Sequence, residues 1–281
     1  MKKIGIVGNG YVGGATALFK NDKVKVLIYD KDPRLCDPPS TTLASLTDCD
    51  FVFVCVPTPM NEDGGCHTPI VESCVYELNM AGIKDKNIVI RSTVPVGLCE
   101  SLGVNFMPEF LTEANWEKDF ENNNAWIFGL YDVNCTFTKS KFVELITFAK
   151  TMGKIKYDDV FFCSNNEAEL AKLTRNSFLA TKVSFFNEIY DFCEKKGINY
   201  GTVADLVGVD KRIGRSHTMV PGPDGERGFG GTCFPKDISS LNHQMTEVGM
   251  ESYVLEAAKA RNIQVDRKGQ DWNLDKGRAV I

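Results

Sequence analysis

The chain begins Ile4-Gly5-Ile6-Val7-Gly8-Asn9-Gly10-Tyr11-Val12-Gly13 and continues to Val24-Lys25-Val26-Leu27-Ile28-Tyr29-Asp30. This reads as strand, glycine turn, helix, strand and acid. It constrains the fold to a βαβ unit and hence to an open, doubly wound parallel sheet. Gly8 makes the tight turn, Gly10 lets a pyrophosphate approach the backbone, and Gly13 lets the helix pack closely on the strand. Asp30 falls where a carboxylate accepts hydrogen bonds from an adenine-ribose diol. A 2′-phosphate would meet like charge there, so the pattern selects NAD over NADP. Tyr11, Val12 and Lys31 complete the expected cofactor contacts of this first unit.

The length of 281 residues and 43% hydrophobic content allow two cores. The net charge of −5, with no basic patch interleaved with aromatics, argues against nucleic acid as a partner. No stretch is long and apolar enough to span a bilayer, and the N-terminal apolar run is a glycine-broken strand rather than a signal sequence, so a cytoplasmic protein is expected. The ten cysteines lack C-x-x-C pairing and are expected as reduced thiols. His67, His217 and His243 make no metal-ligand spacing, and no metal is assigned.

Apolar runs predict strands at 3–8, 24–29, 51–56, 87–91, 104–107, 125–129 and 155–158, with helices between them. Ligands of such sheets bind at the carboxyl ends of the strands. There stand Pro57-Thr58-Pro59, Ser92-Thr93-Val94-Pro95 and Pro108-Glu109-Phe110-Leu111-Thr112-Glu113. Each alone is as well explained by turn capping; together they mark one edge. A helical pattern without glycine or proline runs over 165–196. Its apolar residues Leu170, Leu173, Phe178, Val183, Phe185, Phe186, Ile189 and Phe192 lie on more than one face, so cover on several sides is expected. Lys172 and Asn176 share a face of this helix. A solvated lysine is the alternative for Lys172, and Asn187-Glu188 reads equally as a surface pair. The expected fold is therefore an α/β N-terminal Rossmann domain over 1–162, followed by an all-α domain over 163–281 built on the long helix.

Gly228-Phe229-Gly230-Gly231-Thr232-Cys233-Phe234-Pro235-Lys236-Asp237 places a cysteine between a glycine loop and a Lys-Asp pair. A thiolate nucleophile needs nearby positive charge, open backbone N–H groups and little steric cover. If Phe234 starts a helix, Cys233 sits at its N-terminus with Asp237 one turn away. A buried structural cysteine is the alternative.

With these motifs the chain resembles the UDP-glucose 6-dehydrogenase and GDP-mannose dehydrogenase family. The resemblance also rests on Val56-Pro57-Thr58-Pro59, Ala168-Glu169-Leu170-Ala171-Lys172-Leu173 with Asn176 and Asn187-Glu188, and Asp210-Lys211-Arg212-Ile213-Gly214. It implies two hydride transfers to NAD that take a C6 alcohol to the acid, with Cys233 attacking the aldehyde to form a thiohemiacetal and then a thioester. Lys172 and Asn176 are implied in oxyanion stabilisation, Asp237 with Thr93 in proton transfer, and Glu113 in thioester hydrolysis. Pro57, Thr58, Thr93 and Lys236 are implied at the cofactor. Glu109, Phe110, Leu111, Phe229 and Gly230 are implied at the sugar nucleotide, with Arg212 reaching it across a homodimer interface formed through the long helix. UDP-glucose is the expected substrate. GDP-mannose, a UDP-N-acetylhexosamine, or a non-catalytic relative that binds NAD or nucleotide sugar are the alternatives.

Two features depart from the family pattern. Asp30 to Asp50 is short and holds Pro33, Pro38 and Pro39 where relatives insert a longer helical segment. The chain also stops at Ile281, before the second Rossmann-like domain that carries the uridine contacts, so either a naturally short form or a truncated chain is expected. The turn-rich segment 218–227 is expected to fold over the substrate.

Overall fold

A computed structural model describes every residue from Met1 to Ile281. The chain forms two compact units, one of Met1–Thr58 and Thr68–Lys172, the other of Pro59–His67 and Leu173–Ile281.

The first unit is a seven-stranded sheet in the order β2-β1-β3-β4-β5-β6-β7. Its elements are β1 (Lys2–Val7), α1 (Tyr11–Ala17), β2 (Val24–Tyr29), β3 (Phe51–Val54), α2 (Pro69–Met80), β4 (Ile88–Ile90), α3 (Leu98–Leu102), β5 (Asn105–Phe106), α4 (Trp116–Glu121), β6 (Trp126–Leu130), α5 (Thr136–Thr151) and β7 (Val160–Ser164). Both sheet faces are buried, which is why the central strands are apolar throughout rather than alternating. Ile4, Ile6, Ile28, Phe51, Phe53 and Phe128 point into one core. Val7, Val52, Val54, Ile88 and Ile90 point into the other. In the first core the Phe142 ring of α5 stacks on both Phe51 at 4.0 Å and Phe128 at 4.1 Å. That clamps the helix over the sheet, and truncating such a ring costs about 3–5 kcal/mol.

The chain leaves β1 toward β2, then crosses back to β3 on the other side of β1. This reversal creates the crevice where open α/β sheets bind ligands. Only 3-10 turns, Pro33–Leu35 and Leu43–Leu46, occupy the short connection from β2 to β3.

Two expectations are corrected. The sheet is mostly parallel, but β6 pairs antiparallel with β5 through Phe106 and Gly129. The last strand is Val160–Ser164 rather than 155–158. Ile155 is apolar because it drops into the core behind α5, not because it belongs to a strand.

The second unit is helical. The long helix α6 (Asn165–Lys196) enters it from Leu173, followed by α7 (Tyr200–Gly208), α8 (Phe234–Glu247) and α9 (Tyr253–Arg261). Gly197 stops α6 at φ 68°, with the Ile198 N–H returning to the Cys193 carbonyl, a left-handed cap. The Asn199 side chain caps α7 by accepting the Thr202 N–H at 3.0 Å. Phe229, Ile238, Ala180 and Ala258 form one small core, and Phe186, Cys193 and Tyr200 another. Of the apolar residues of α6, Leu173 and Phe186 are buried, whereas Phe178, Phe185 and Phe192 are 65%, 57% and 56% exposed. The expected cover on several sides is absent from the single chain at this stripe.

Candidate active site

In the first unit the three fingerprint glycines have three distinct surroundings. Gly8 has φ +93°, and a Cβ there would stand 2.7 Å from the Cys55 carbonyl oxygen, where β1 and β3 diverge. A Cβ on Gly13 would stand 2.0 Å from the Gly8 carbonyl oxygen, so α1 rests on the end of β1. Nothing lies within 4 Å of a Cβ placed on Gly10. That open backbone at the switch point, beside α1 residues Tyr11 and Val12, is what a pyrophosphate requires.

Asp30 directly follows β2 and accepts the N–H groups of Asn9 at 2.8 Å and Asp32 at 2.9 Å, one on each carboxylate oxygen. Each oxygen keeps a lone pair for a ribose hydroxyl. Lys31 beside it is exposed. The turns after β3 and β4 are tied together: Thr58 Oγ1 donates to the Thr93 carbonyl at 2.7 Å, and Ser92 Oγ donates to the Val56 carbonyl at 2.6 Å. The residues present fit NAD.

The same unit holds a buried pair. Lys172 Nζ donates to Glu109 Oε1 at 2.7 Å, with Glu109 Oε2 accepting the Leu111 N–H at 2.8 Å. The ammonium also stands 5.6 Å from the centre of the Phe110 ring. Lys172 is 2% exposed, so the solvated-lysine alternative is set aside. Glu113, further along the turn, is exposed. Arg91, which the sequence reading did not single out, is fully buried at the end of β4 with Nη1 3.6 Å from Met107 Sδ. Burial pulls its pKa down, against the opposing charges of Cys55 and Glu109. A cation closing an apolar strand run was the available signal. Glu169 is likewise buried, its carboxylate accepting the Gly97 and Cys99 N–H groups at 2.7 and 2.9 Å at the start of α3. Burial pushes its pKa up.

In the second unit, Cys233 is the N-cap residue of α8, and the Asp237 N–H closes the first turn onto the Cys233 carbonyl at 2.9 Å. Asp237 is 1% exposed. One carboxylate oxygen accepts from Asn176 Nδ2 at 2.6 Å and the other from Lys236 Nζ at 2.8 Å. Burial alone would lower the pKa of the Lys236 ammonium. Asp237, with Cys66 and Cys233 adding negative potential, raises it above the ordinary lysine value. A permanent cation therefore sits next to the cysteine at a helix start, the setting that favours a thiolate.

The loop ahead of Cys233 is held by two buried asparagines. The Phe229 N–H donates to Asn262 Oδ1 and the Phe229 carbonyl accepts from Asn262 Nδ2, both at 2.8 Å, while the Gly228 N–H donates to Asn187 Oδ1 at 3.2 Å. Asn187 is 1% exposed and Glu188 is exposed, so only the second is a surface residue. Arg212 lies in the exposed loop after α7 and forks onto Asp210. The segment 218–227 turns back through Gly222 and Glu226, its Thr218 carbonyl accepting from the Tyr200 hydroxyl at 2.5 Å.

Residues 39–146 match the NAD binding domain of the UDP-glucose/GDP-mannose dehydrogenase family, and residues 166–264 match its central domain. A UDP-glucose 6-dehydrogenase of Rickettsia typhi is 32% identical over 285 residues, covering 90% of this chain and 62% of that protein. A UDP-glucose dehydrogenase structure from the archaeon Pyrobaculum islandicum superposes with a TM-score of 0.79 at 25% identity, over 93% of this chain and 68% of the other. The UDP-D-ManNAc dehydrogenase of Pyrococcus horikoshii shares the fold with a TM-score of 0.72 at 19% identity, over 92% and 68%. The chain thus spans under two thirds of the length of the Rickettsia protein. No helix is long and apolar enough to cross a membrane.

Proposed function

We propose, because this chain belongs to the UDP-glucose/GDP-mannose dehydrogenase family, that it is an NAD-dependent nucleotide-sugar dehydrogenase oxidising the C6 alcohol of UDP-glucose to the carboxylate. The observation that carries this reading is Cys233 at the start of α8, one turn from an Asp237 held between Asn176 and Lys236. Gly10, Asp30 and the Thr58 and Thr93 turns would hold NAD, with Tyr11, Val12, Lys31 and Pro57 beside them. NAD, when bound, supplies the hydride acceptor for both oxidations.

The chain's own residues have the following tasks. Cys233 Sγ adds to the carbonyl carbon of the C6 aldehyde, and the new C–S bond holds the sugar until water releases the acid. As the sulfur adds, the carbonyl oxygen gains charge. Lys172 and Asn176, one turn apart on α6, stabilise it as fixed donors. Glu109 aims the Lys172 amine through the 2.7 Å hydrogen bond. Asp237, with Thr93, moves the proton, and Glu113 on its solvent-facing turn serves as base for the hydrolytic water. Glu109, Phe110, Leu111, Phe229 and Gly230 contact the substrate, and Arg212 does so from a second copy of the chain. The free thiols suit a cytosolic enzyme.

The test is NADH formation by the purified 281-residue chain with NAD and UDP-glucose, GDP-mannose or UDP-N-acetylhexosamines, counting NADH per sugar. Two NADH per UDP-glucose is the expected result. Turnover with another sugar only would move the substrate, and NAD binding without turnover on any sugar would sink the catalytic reading.

A further inference from the structure

The glycine loop that carries Cys233 has few side chains with which to fix itself. Gly228 and Gly231 both sit at φ +69°, a region that leaves the free chain with many alternatives to lose. Asn187 and Asn262 secure Gly228 and Phe229. The stretch nearest the sulfur, Gly230-Gly231, is held by neither.

It is held by residues beyond the segment that matches the family's central domain, which ends at 264. The Gly231 N–H donates to Asp271 Oδ2 at 3.3 Å. That carboxylate is aimed by a fork from Arg267, Nε to Oδ1 at 2.6 Å and Nη2 to Oδ2 at 3.1 Å. The Arg267 guanidinium lies flat against the loop: a Cβ on Gly230 would stand 2.4 Å from its Cζ and Nε. Its remaining arm pairs with Asp224 at 2.7 Å, in the segment preceding the loop. An Arg-Asp pair at i, i+4 that merely closed the tail on itself would need neither Gly231 nor the space left by Gly230. The Arg267 side chain is 9% exposed, so the fork is fixed rather than fluctuating in solvent.

We propose that Arg267 and Asp271 are positioning residues for Cys233: together they fix the Gly230-Gly231 peptide and so set where the sulfur stands and which charges it meets. This rests on reading Cys233 as the nucleophile, but its test does not need turnover. The pH dependence of Cys233 alkylation by iodoacetamide is followed by peptide mass spectrometry in the whole chain, for Arg267→Lys, Asp271→Asn and the exposed control Lys268→Ala. Arg267→Lys keeps the charge and removes the fork; Asp271→Asn keeps an acceptor oxygen and removes the charge.

The expected result is a shift of about half a pH unit or more in the Cys233 profile in either variant, roughly a threefold change in thiolate at neutral pH. Lys268→Ala should leave the profile in place, and the buried Cys99 and Cys193 should stay unlabelled in every variant, which reports that the fold is intact. Cys233 profiles that superimpose on the unsubstituted chain in both variants would overturn the proposal. Acid formation by Cys233→Ser at the unsubstituted rate would instead overturn the nucleophile reading and leave the alkylation result standing.

Discussion

Lys172 and Glu109 form an ion pair with Nζ 2.7 Å from Oε1 and side-chain exposures of only 3% and 4%. A pair so placed gives little net stability, because both charges are desolvated, but removing one partner strands the other. Lys172→Met should cost about 3–5 kcal/mol in chemical denaturation and abolish NADH formation. The double variant Lys172→Met with Glu109→Leu should recover most of the stability and none of the activity. Recovery of both would mean that the lysine serves the fold alone.

The fingerprint glycines separate binding from folding. Gly10 has open space where a Cβ would go, so Gly10→Ala should melt with the unsubstituted chain while NAD affinity, read by fluorescence titration, falls roughly tenfold or more, about 1.4 kcal/mol. Gly13→Ala must drive a methyl into the Gly8 carbonyl at 2.0 Å, so it should lower the melting temperature itself. Equal effects of the two substitutions on melting would contradict these assignments.

These two glycine roles were legible in the sequence because each is local, set by a turn and by the contact between adjacent elements. The start of α8 at Phe234 was legible for the same reason. The antiparallel pairing of β6 was not, since strand direction is decided by a partner that local periodicity does not encode. Ile155 misplaced the last strand because a residue buried in the core outside any strand still looks like strand in an apolar pattern. Arg91, Asn262, Arg267 and Asp271 were missed because their meaning comes from contacts 16 to 43 residues away in the chain.

Cysteine titration should be strongly site-dependent. Burial pushes the thiols of Cys49 and Cys55 up to about 11 and that of Cys74 to about 12. Cys135, near the Thr138 hydroxyl, is held below the ordinary thiol value. In native protein at about pH 8, iodoacetamide should therefore label Cys135 well ahead of these three thiols, of which only about one in a thousand or fewer is ionised. The same shifts act on stability. An unfolded thiol ionises near about 8.5, below the folded values, so the unfolded chain sheds protons first as pH rises. This contribution is complete below about pH 8.5 and is lost progressively toward about pH 11–12. Denaturation midpoints that stay level across that window would contradict the burial of these thiols.

Phe178, Phe185 and Phe192 recur every seven residues along α6, each more than half exposed. Residues so spaced form one stripe, and an apolar stripe of this length on a solvent face marks an interface. Arg212, implied at a neighbouring copy's substrate, forks onto Asp210 in its own exposed loop. Both features fit a homodimer built along α6. Phe185→Glu places a charge at the centre of the stripe, where the Phe185 ring also meets the buried Phe186 ring edge-on at 5.5 Å. It should convert a dimer to a monomer in light scattering, leave the melting of each unit close to that of the dissociated chain, and raise the KM for UDP-glucose if Arg212 acts in trans. Arg212→Ala should raise the same KM with the dimer intact. A monomeric unsubstituted chain that still turns over UDP-glucose would remove both the interface and the role of Arg212 across it.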